Sequence, residues 1–354
     1  VVEVRTDRAG QADAVVVEAV SGDAVERITI RARVVVNATG VWADDVRALA
    51  EPQHPDSIRP AKGVHVTVPW AKVRNDIAVV IPVPKDKRSL FVVPWGPLPD
   101  GTFQHTYVGT TDTDYDGDVD DPQCTKDDLD YVLRALNASV TTGVTAADVT
   151  GVWAGLRPLV KSASSGRTAD LSRRHSITTN AAGMISVAGG KLTTYREMAQ
   201  DTVDDVAARV QISAKCRTKN FKLLGADGFR DPEPGADTHL ALRYGTEAAA
   251  VRQLIDEDAT LGQPLVPGLA YLRAEAVHAV RHEMAVTLDD VLSRRTRARL
   301  FDRQAAVEAA DAVATLIGAE LGWSGARTAE ELDAFRASCA NEVAQGCIES
   351  KGSG

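Results

Sequence analysis

The sequence predicts an α/β chain that passes through a β-rich middle and closes in an all-α C-terminal domain. Three observations carry that prediction. Up to about residue 115, runs of β-branched residues alternate with Gly, Pro and polar turns, as strands do. Beyond about residue 240, apolar residues recur at three and four spacing through Ala-rich segments, as on helix faces. Between these regions, ISVAGGKLTTYREM at 185–198 runs from a strand through two glycines into a helix.

In chain order, VVEV, AVVVEAV and ERITIRARVVVNATG, separated by DRAGQ and SGD, read as a β-hairpin feeding a buried strand. The apolar run Arg33-Val34-Val35-Val36-Asn37 is that of a parallel central strand, and the small residues Ala38, Thr39 and Gly40 after it allow a ligand near the backbone. A helix is expected from Trp42. Between 58 and 115, GVHVTVPW, AVVIPV, SLFVVPW and TYVGTT read as a mostly antiparallel sheet. TKDDLDYVLRALNA at 125–138 combines a helical apolar face with an acidic first turn. Strand patterns return at 151–190. Thr194 and Glu197 then spell a capping box, and Leu192, Tyr195, Met198 or Ala199, Val203 and Val206 predict one apolar helix face. GADGFRDPEPGADT at 225–238 is a Gly/Pro/Asp linker, followed by expected helices near 245–256, 271–299, 302–321 and 328–345.

The 354 residues suggest two or three domains, and 44% hydrophobic with 25% charged residues is an ordinary globular composition. A formal net charge of -9 repels polyanions and argues against nucleic acid as the main partner. Cys124, Cys216, Cys339 and Cys347 form no C-x-x-C, which indicates neither a disulfide scaffold nor a zinc site and fits a reducing cytoplasm. No run of eighteen apolar residues predicts a membrane span.

Several stretches are able to carry chemistry. Gly189 and Gly190 permit close approach, and the first N–H groups of the following helix suit a phosphate or a flavin carbonyl. The plainer reading is an ordinary strand–helix turn with a solvated lysine; a Walker A loop is excluded because Leu192 follows Lys191. Arg157 sits between Gly155 and Pro158, and with Arg173 or Arg174 and Lys191 it makes a cationic set suited to a phosphate. Scattered surface cations are the alternative. Asp112-x-Asp114-x-Asp116-Gly117 copies half an EF-hand loop, but Gln123 replaces the closing Glu, so no calcium site is expected. His278 and His282 stand four apart on a helix without a third ligand in view, and no metal is expected there either. The basic run 293–299 reads as a solvated helix end, with contact with an anionic lipid as the lesser alternative.

Taken together, VVNATGVWADD, IRPAKGVHVTVP, FVVPW, YVGTTDTDYDGD, GLRPLV, DLSRRHSI, ISVAGGKLTTYREMA and EMAVTLDDVLSRRTR resemble the FAD-dependent, quinone-linked glycerol-3-phosphate dehydrogenase family, in family order along nearly the whole chain. That family opens with a strand–G-x-G-x-x-G–helix FAD module that these residues do not contain, so an N-terminally truncated member is expected. The resemblance implies a partial FAD-binding domain at 1–57 and 151–210, a β-rich substrate-binding domain at 58–150 and an α-helical domain at 225–354. It implies oxidation of sn-glycerol 3-phosphate to dihydroxyacetone phosphate by hydride transfer to FAD, with quinone as the electron acceptor.

Residue by residue, His65 matches the active-site histidine near the substrate hydroxyl, Arg157 an arginine beside that hydroxyl, and Lys191 a lysine near flavin and substrate. Arg173, or Arg174 if the register shifts by one, matches the arginine for the substrate phosphate. Ala38, Thr39 and Gly40 match the turn near the FAD phosphates, and Gly189, Gly190, Leu192, Thr193 and Thr194 the backbone facing the flavin. Without that context His65 reads as a half-buried strand histidine. A cytoplasmic place, a peripheral contact with the inner face of the cell membrane and a homodimer are compatible with the resemblance. Two alternatives stay open: a related FAD-dependent hydroxy-acid or amine oxidase, and a non-catalytic fragment that keeps a helical docking domain.

Overall fold

The computed structural model describes residues 1–21, 24–86, 88–98, 100–161, 174–232, 238–346 and 348. In chain order they form β1 (Glu3–Thr6), β2 (Ala12–Ser21), β3 (Ala24–Arg31), β4 (Val36–Asn37), α1 (Ala43–Ala48), β5 (Ile58–Pro69), β6 (Val79–Pro82), β7 (Ser89–Pro97), β8 (Phe103–Gly109) and β9 (Thr113–Asp114). There follow α2 (Lys126–Asn137), β10 (Gly151–Val160), β11 (Ser176–Thr179), β12 (Ile185–Ala188) and α3 (Tyr195–Arg209). The rest is helical: α4 (Thr238–Tyr244), α5 (Ala248–Glu257), α6 (Arg273–His282), α7 (Ala298–Phe301), α8 (Arg303–Leu321) and α9 (Gly325–Gly346). The fold is thus mixed sheets with a helical C-terminal region.

The chain divides into two compact units. The first comprises Val1–Gly63, Asp112–Pro122 and Gly155–Phe221; the second comprises Val64–Thr111, Gln123–Ala154 and Lys222–Gly354.

In the first unit β1, β2 and β3 form an antiparallel sheet, and β11, β12 and β4 form a second in that order. Val4, Ala12, Val35 and Met184 pack as one small core, and the Ala12 N–H donates to the Ala182 carbonyl, tying the first sheet to the turn before β12. The central strand of the second sheet is β12. VVVNATG, expected there, supplies only the two-residue β4 at an edge among the described residues, with Val36 41% exposed. Asn37 explains the short strand, because its side chain turns the chain at once toward α1.

In the second unit β6, β7, β8 and β5 pair in sequence, with antiparallel registers such as His65↔Gly109 and Trp95↔His105. Because side chains alternate along strands, Val64, Val66, Val68, Leu90, Val92 and Val108 share one face and pack on Leu129, Val132, Leu133 and Leu136 of α2. Thr125 and Asp128 cap that helix reciprocally at its acidic first turn. The opposite face carries His65, Tyr107, His105 and Trp95. On that side Gly151 is required by space: a Cβ there would stand 2.2 Å from the Leu300 carbonyl oxygen. This close approach and the Arg303 N–H bond to the Thr150 carbonyl seat α7 and the start of α8 on β10.

The helical core gathers Leu288, Val291, Leu292, Val313, Ile317 and Phe335. The single helix expected over 271–299 is broken. α6 ends at His282, Met284 takes a left-handed φ of 57°, and a π-helical turn runs from Asp290 to Arg295. Polar bonds impose the break: the Arg295 guanidinium donates to the Glu283 carbonyl, and the Asp290 carboxylate accepts from the Val286 and Thr287 N–H groups. An unbroken helix would forfeit these bonds.

Candidate active site

Strand direction brings three of the predicted stretches to one end of one sheet. β4 and β12 run parallel, so Ala38–Gly40 and Gly189–Thr194 both leave from carboxyl ends. β11 runs the other way, with Ser176 opposite Ala188, so Arg174 and His175 lie at the same end. Ligands of open α/β sheets bind outside such strand ends.

The turn after β4 is held by Asn37, which is 1% exposed. Its Nδ2 donates to the Ala43 carbonyl at 2.8 Å, and its Oδ1 accepts from the Thr39 hydroxyl at 2.7 Å. Gly40 has a left-handed φ of 65°, and nothing lies within 4 Å of where a Cβ would stand. The backbone is therefore open to a ligand at this point. Asn37 was missed as a site residue in the sequence, where it reads as the end of a strand.

The two glycines after β12 serve the chain's own packing. Both are left-handed, at 75° and 77°; a Cβ on Gly189 would lie 2.7 Å from the Arg174 carbonyl oxygen, and one on Gly190 would lie 2.4 Å from the Met198 sulfur. They let the entry to β11 and the first turn of α3 close on the strand end. A 3₁₀ turn at Leu192–Thr194 precedes α3. The Thr194 N–H donates to the Lys191 carbonyl at 2.9 Å, whereas those of Leu192 and Thr193 open the turn, ahead of any helical acceptor. Lys191 and Leu192 are exposed.

The predicted Thr194–Glu197 capping box does not form. The Thr194 hydroxyl donates instead to the Lys191 carbonyl at 3.0 Å, and the Glu197 carboxylate lies 3.9 Å from Arg196. Of the expected apolar face of α3, Met198 and Val206 are half-buried beside the buried Thr202, whereas Tyr195 and Val203 are exposed. Met198 packs against Gly190.

Arg157, on β10, pairs with Asp112 at 3.3 Å, and the aspartate side chain is only 10% exposed. Asp114 pairs with Arg59 at 2.7 Å. Two of the three alternating aspartates that resemble half a calcium loop, Asp112 and Asp114, are thus engaged with arginines, and no group of three metal-ligating side chains exists among the described residues. Asp112 as the partner of Arg157 was hidden by that resemblance. Arg173 lies outside the described residues; Arg174 is exposed.

His65 belongs to the second unit. Its imidazole lies flat on the indole of Trp153, with centroids 4.8 Å apart and planes 8° apart, and Tyr107 meets it edge-on at 6.0 Å. A Cβ on Gly109 would stand 2.4 Å from its Cδ2. Nothing in the spacing of His65, Gly109 and Trp153 along the sequence announces this cluster.

Residues 1–196, more than half of the chain, match the model of the FAD dependent oxidoreductase family. The chain belongs to that family. Residues 216–328 match the model of the C-terminal domain of alpha-glycerophosphate oxidase. It is similar to glycerol-3-phosphate dehydrogenase 2 of Mycobacterium bovis, 38% identical over 331 residues that make up 89% of this chain and 54% of that protein. It is also similar to the glycerol-3-phosphate dehydrogenase of Mycobacterium leprae, 39% identical over 86% of this chain and 52% of that one. These are the relatives its motifs resemble, and the chain spans about half their length. Among solved structures it is similar to the glycerol-3-phosphate dehydrogenase from Bacillus halodurans complexed with FAD, with a TM-score of 0.78, 28% identity, and coverage of 99% of this chain and 69% of that one.

The residues present fit part of a FAD cradle. The open left-handed Gly40 beside the Asn37-tied turn admits a ligand to the backbone, and the Leu192 and Thr193 N–H groups begin a helix at the same sheet end. No described helix is long and apolar enough to cross a membrane.

Proposed function

We propose that this chain carries the substrate-side chemistry of an FAD-dependent oxidation of sn-glycerol 3-phosphate to dihydroxyacetone phosphate. The observation that most supports the reading is the gathering of Ala38–Gly40, Gly189–Thr194 and Arg174 at one sheet end, in a chain whose relatives are named glycerol-3-phosphate dehydrogenases. FAD, when bound, supplies the acceptor for the hydride that leaves the secondary carbon.

The chain's own residues handle the proton and the charges. His65 takes the hydroxyl proton as the C–O bond becomes a carbonyl. Arg157, steadied by Asp112, offsets charge developing on that oxygen. Lys191 and Arg174, with Arg173, supply positive charge for the phosphate, where charge-assisted bonds are about twice as strong as neutral ones. Quinone as the acceptor of the electrons, a peripheral membrane contact and a homodimer belong to the same proposal.

The test is the visible spectrum of the chain after incubation with FAD and desalting, followed by anaerobic addition of glycerol 3-phosphate. Retained flavin bands should bleach, and His65→Gln should keep the bands while slowing bleaching by about 10²–10⁴-fold. Bands that bleach with a hydroxy acid or an amine but not with glycerol 3-phosphate overturn the reading.

A further inference from the structure

Aromatic rings and a glycine backbone enclose the imidazole of His65. On one side the Trp153 indole covers the imidazole face to face, at 4.8 Å and 8°. Tyr107 stands across both rings, 6.0 Å from His65 and 5.8 Å from Trp153, edge-on to the imidazole and tilted to the indole. Tyr107 is itself braced by Trp95 at 5.7 Å, and Trp95 stacks on Phe301 at 5.9 Å. Against the ring edge lies Gly109, the ladder partner of His65. Its missing Cβ would fall 2.4 Å from the imidazole Cδ2, 2.7 Å from Cγ and 2.8 Å from the Val64 carbonyl oxygen. No left-handed φ accounts for this glycine, so space for the imidazole is what it provides.

We propose that Trp153 and Gly109 are positioning residues for His65: they confine the imidazole to one plane, so that a ring nitrogen stays aimed at the proton it removes. The inference rests on the reading of His65 as the proton acceptor. The physical reason is that a histidine side chain turns about two bonds, and its second is broad and weakly preferred. A stacked indole on the face and a backbone at the edge remove that freedom before substrate arrives. Aromatic pairs of this geometry contribute beyond area burial, and a misplacement of about 1 Å costs a reacting pair about a hundred-fold in rate.

The experiment uses the full chain with its histidines isotopically labelled, and the His65 ring-proton signals are assigned by their loss in His65→Gln. Protons over an aromatic face are shielded, so these signals should lie upfield in the parent, move downfield in Trp153→Leu and return part of the way in Trp153→Phe. Circular dichroism should stay unchanged throughout. In glycerol 3-phosphate oxidation, Trp153→Leu should lower kcat about a hundred-fold with KM close to the parent's, and Trp153→Phe should restore most of it. Gly109→Ala should move the same signals; if it fails to fold, the Trp153 pair still decides.

His65 signals that stay in place in Trp153→Leu overturn the proposal. So does a full kcat in that variant when His65→Gln abolishes turnover. If instead His65→Gln turns over like the parent, the functional reading of His65 falls, and the positioning inference falls with it for that separate reason.

Discussion

Glu275→Ala should destabilise the helical region more than any surface change. The carboxylate is fully buried near the start of α6 and is shared four ways. One oxygen accepts from His239 Nε2 at 2.7 Å and from the Leu272 N–H at 2.9 Å; the other accepts from the Tyr244 hydroxyl at 3.1 Å and pairs with Arg243 Nε at 2.9 Å. Removing it strands the Arg243 guanidinium, whose side chain is 27% exposed. Breaking a buried pair from one side costs about 3–5 kcal/mol, and Arg243 keeps partial solvent and a bond to the Arg295 carbonyl, which favours the lower end. Loss of the acceptor for Leu272 adds about 1 kcal/mol. The sum, roughly 4 kcal/mol, corresponds to a Tm lower by about 10 °C. Urea unfolding followed by circular dichroism measures it, with the slope m checked for constancy. Glu275→Gln keeps the shape and some bonds and should lose less. A loss below about 1 kcal/mol in Glu275→Ala, at unchanged m, would refute the claim that this network holds α4 to α6.

Two further outcomes follow from packing and burial. Gly151→Ala places a Cβ against the Leu300 carbonyl and should lower stability by about 2–3 kcal/mol, whereas Gly155→Ala meets nothing within 4 Å and should stay within about 0.5 kcal/mol of the parent; equal urea midpoints would contradict the tight seating of α7 on β10. Burial pushes the imidazoles of His105 and His278 below the ordinary range, offset in part by Asp302 at His105 and by Glu283 at His278. The unfolded chain then binds protons that the folded chain resists. Stability is accordingly retained above the ordinary histidine pKa of about 6.5 and falls as pH drops toward the depressed folded values. His278→Phe should flatten the fall in Tm between about pH 7 and about pH 5, and an unaltered slope would count against it.

The strand alternation, the amphipathic helix at 125–138 and the helical region beyond 240 were legible because each is a local pattern whose period the sequence displays directly. The same holds for the glycines at the end of β12. What a period does not reveal is how elements meet. Thr194 and Glu197 satisfy the spacing of a capping box, yet Thr194 bonds to Lys191, because Met198 against Gly190 fixes the first turn of α3. Glu275 caps α6 by reaching back to Leu272, which has no capping side chain, so no capping signature betrays it.

By itself the sequence determined that Ala38–Gly40, Gly189–Thr194, Arg157 and His65 were worth watching, since their residue types and motif order point to a flavin and a phosphate. Tertiary structure alone decided that β4 and β12 run parallel, so that two distant turns leave from the same sheet end, and that Asp112 faces Arg157. It alone placed Trp153 on His65 across strands that are far apart in the chain. Strand direction and ladder register are set by long-range hydrogen bonds between residues scores of positions apart, and no local spacing encodes which of them will meet.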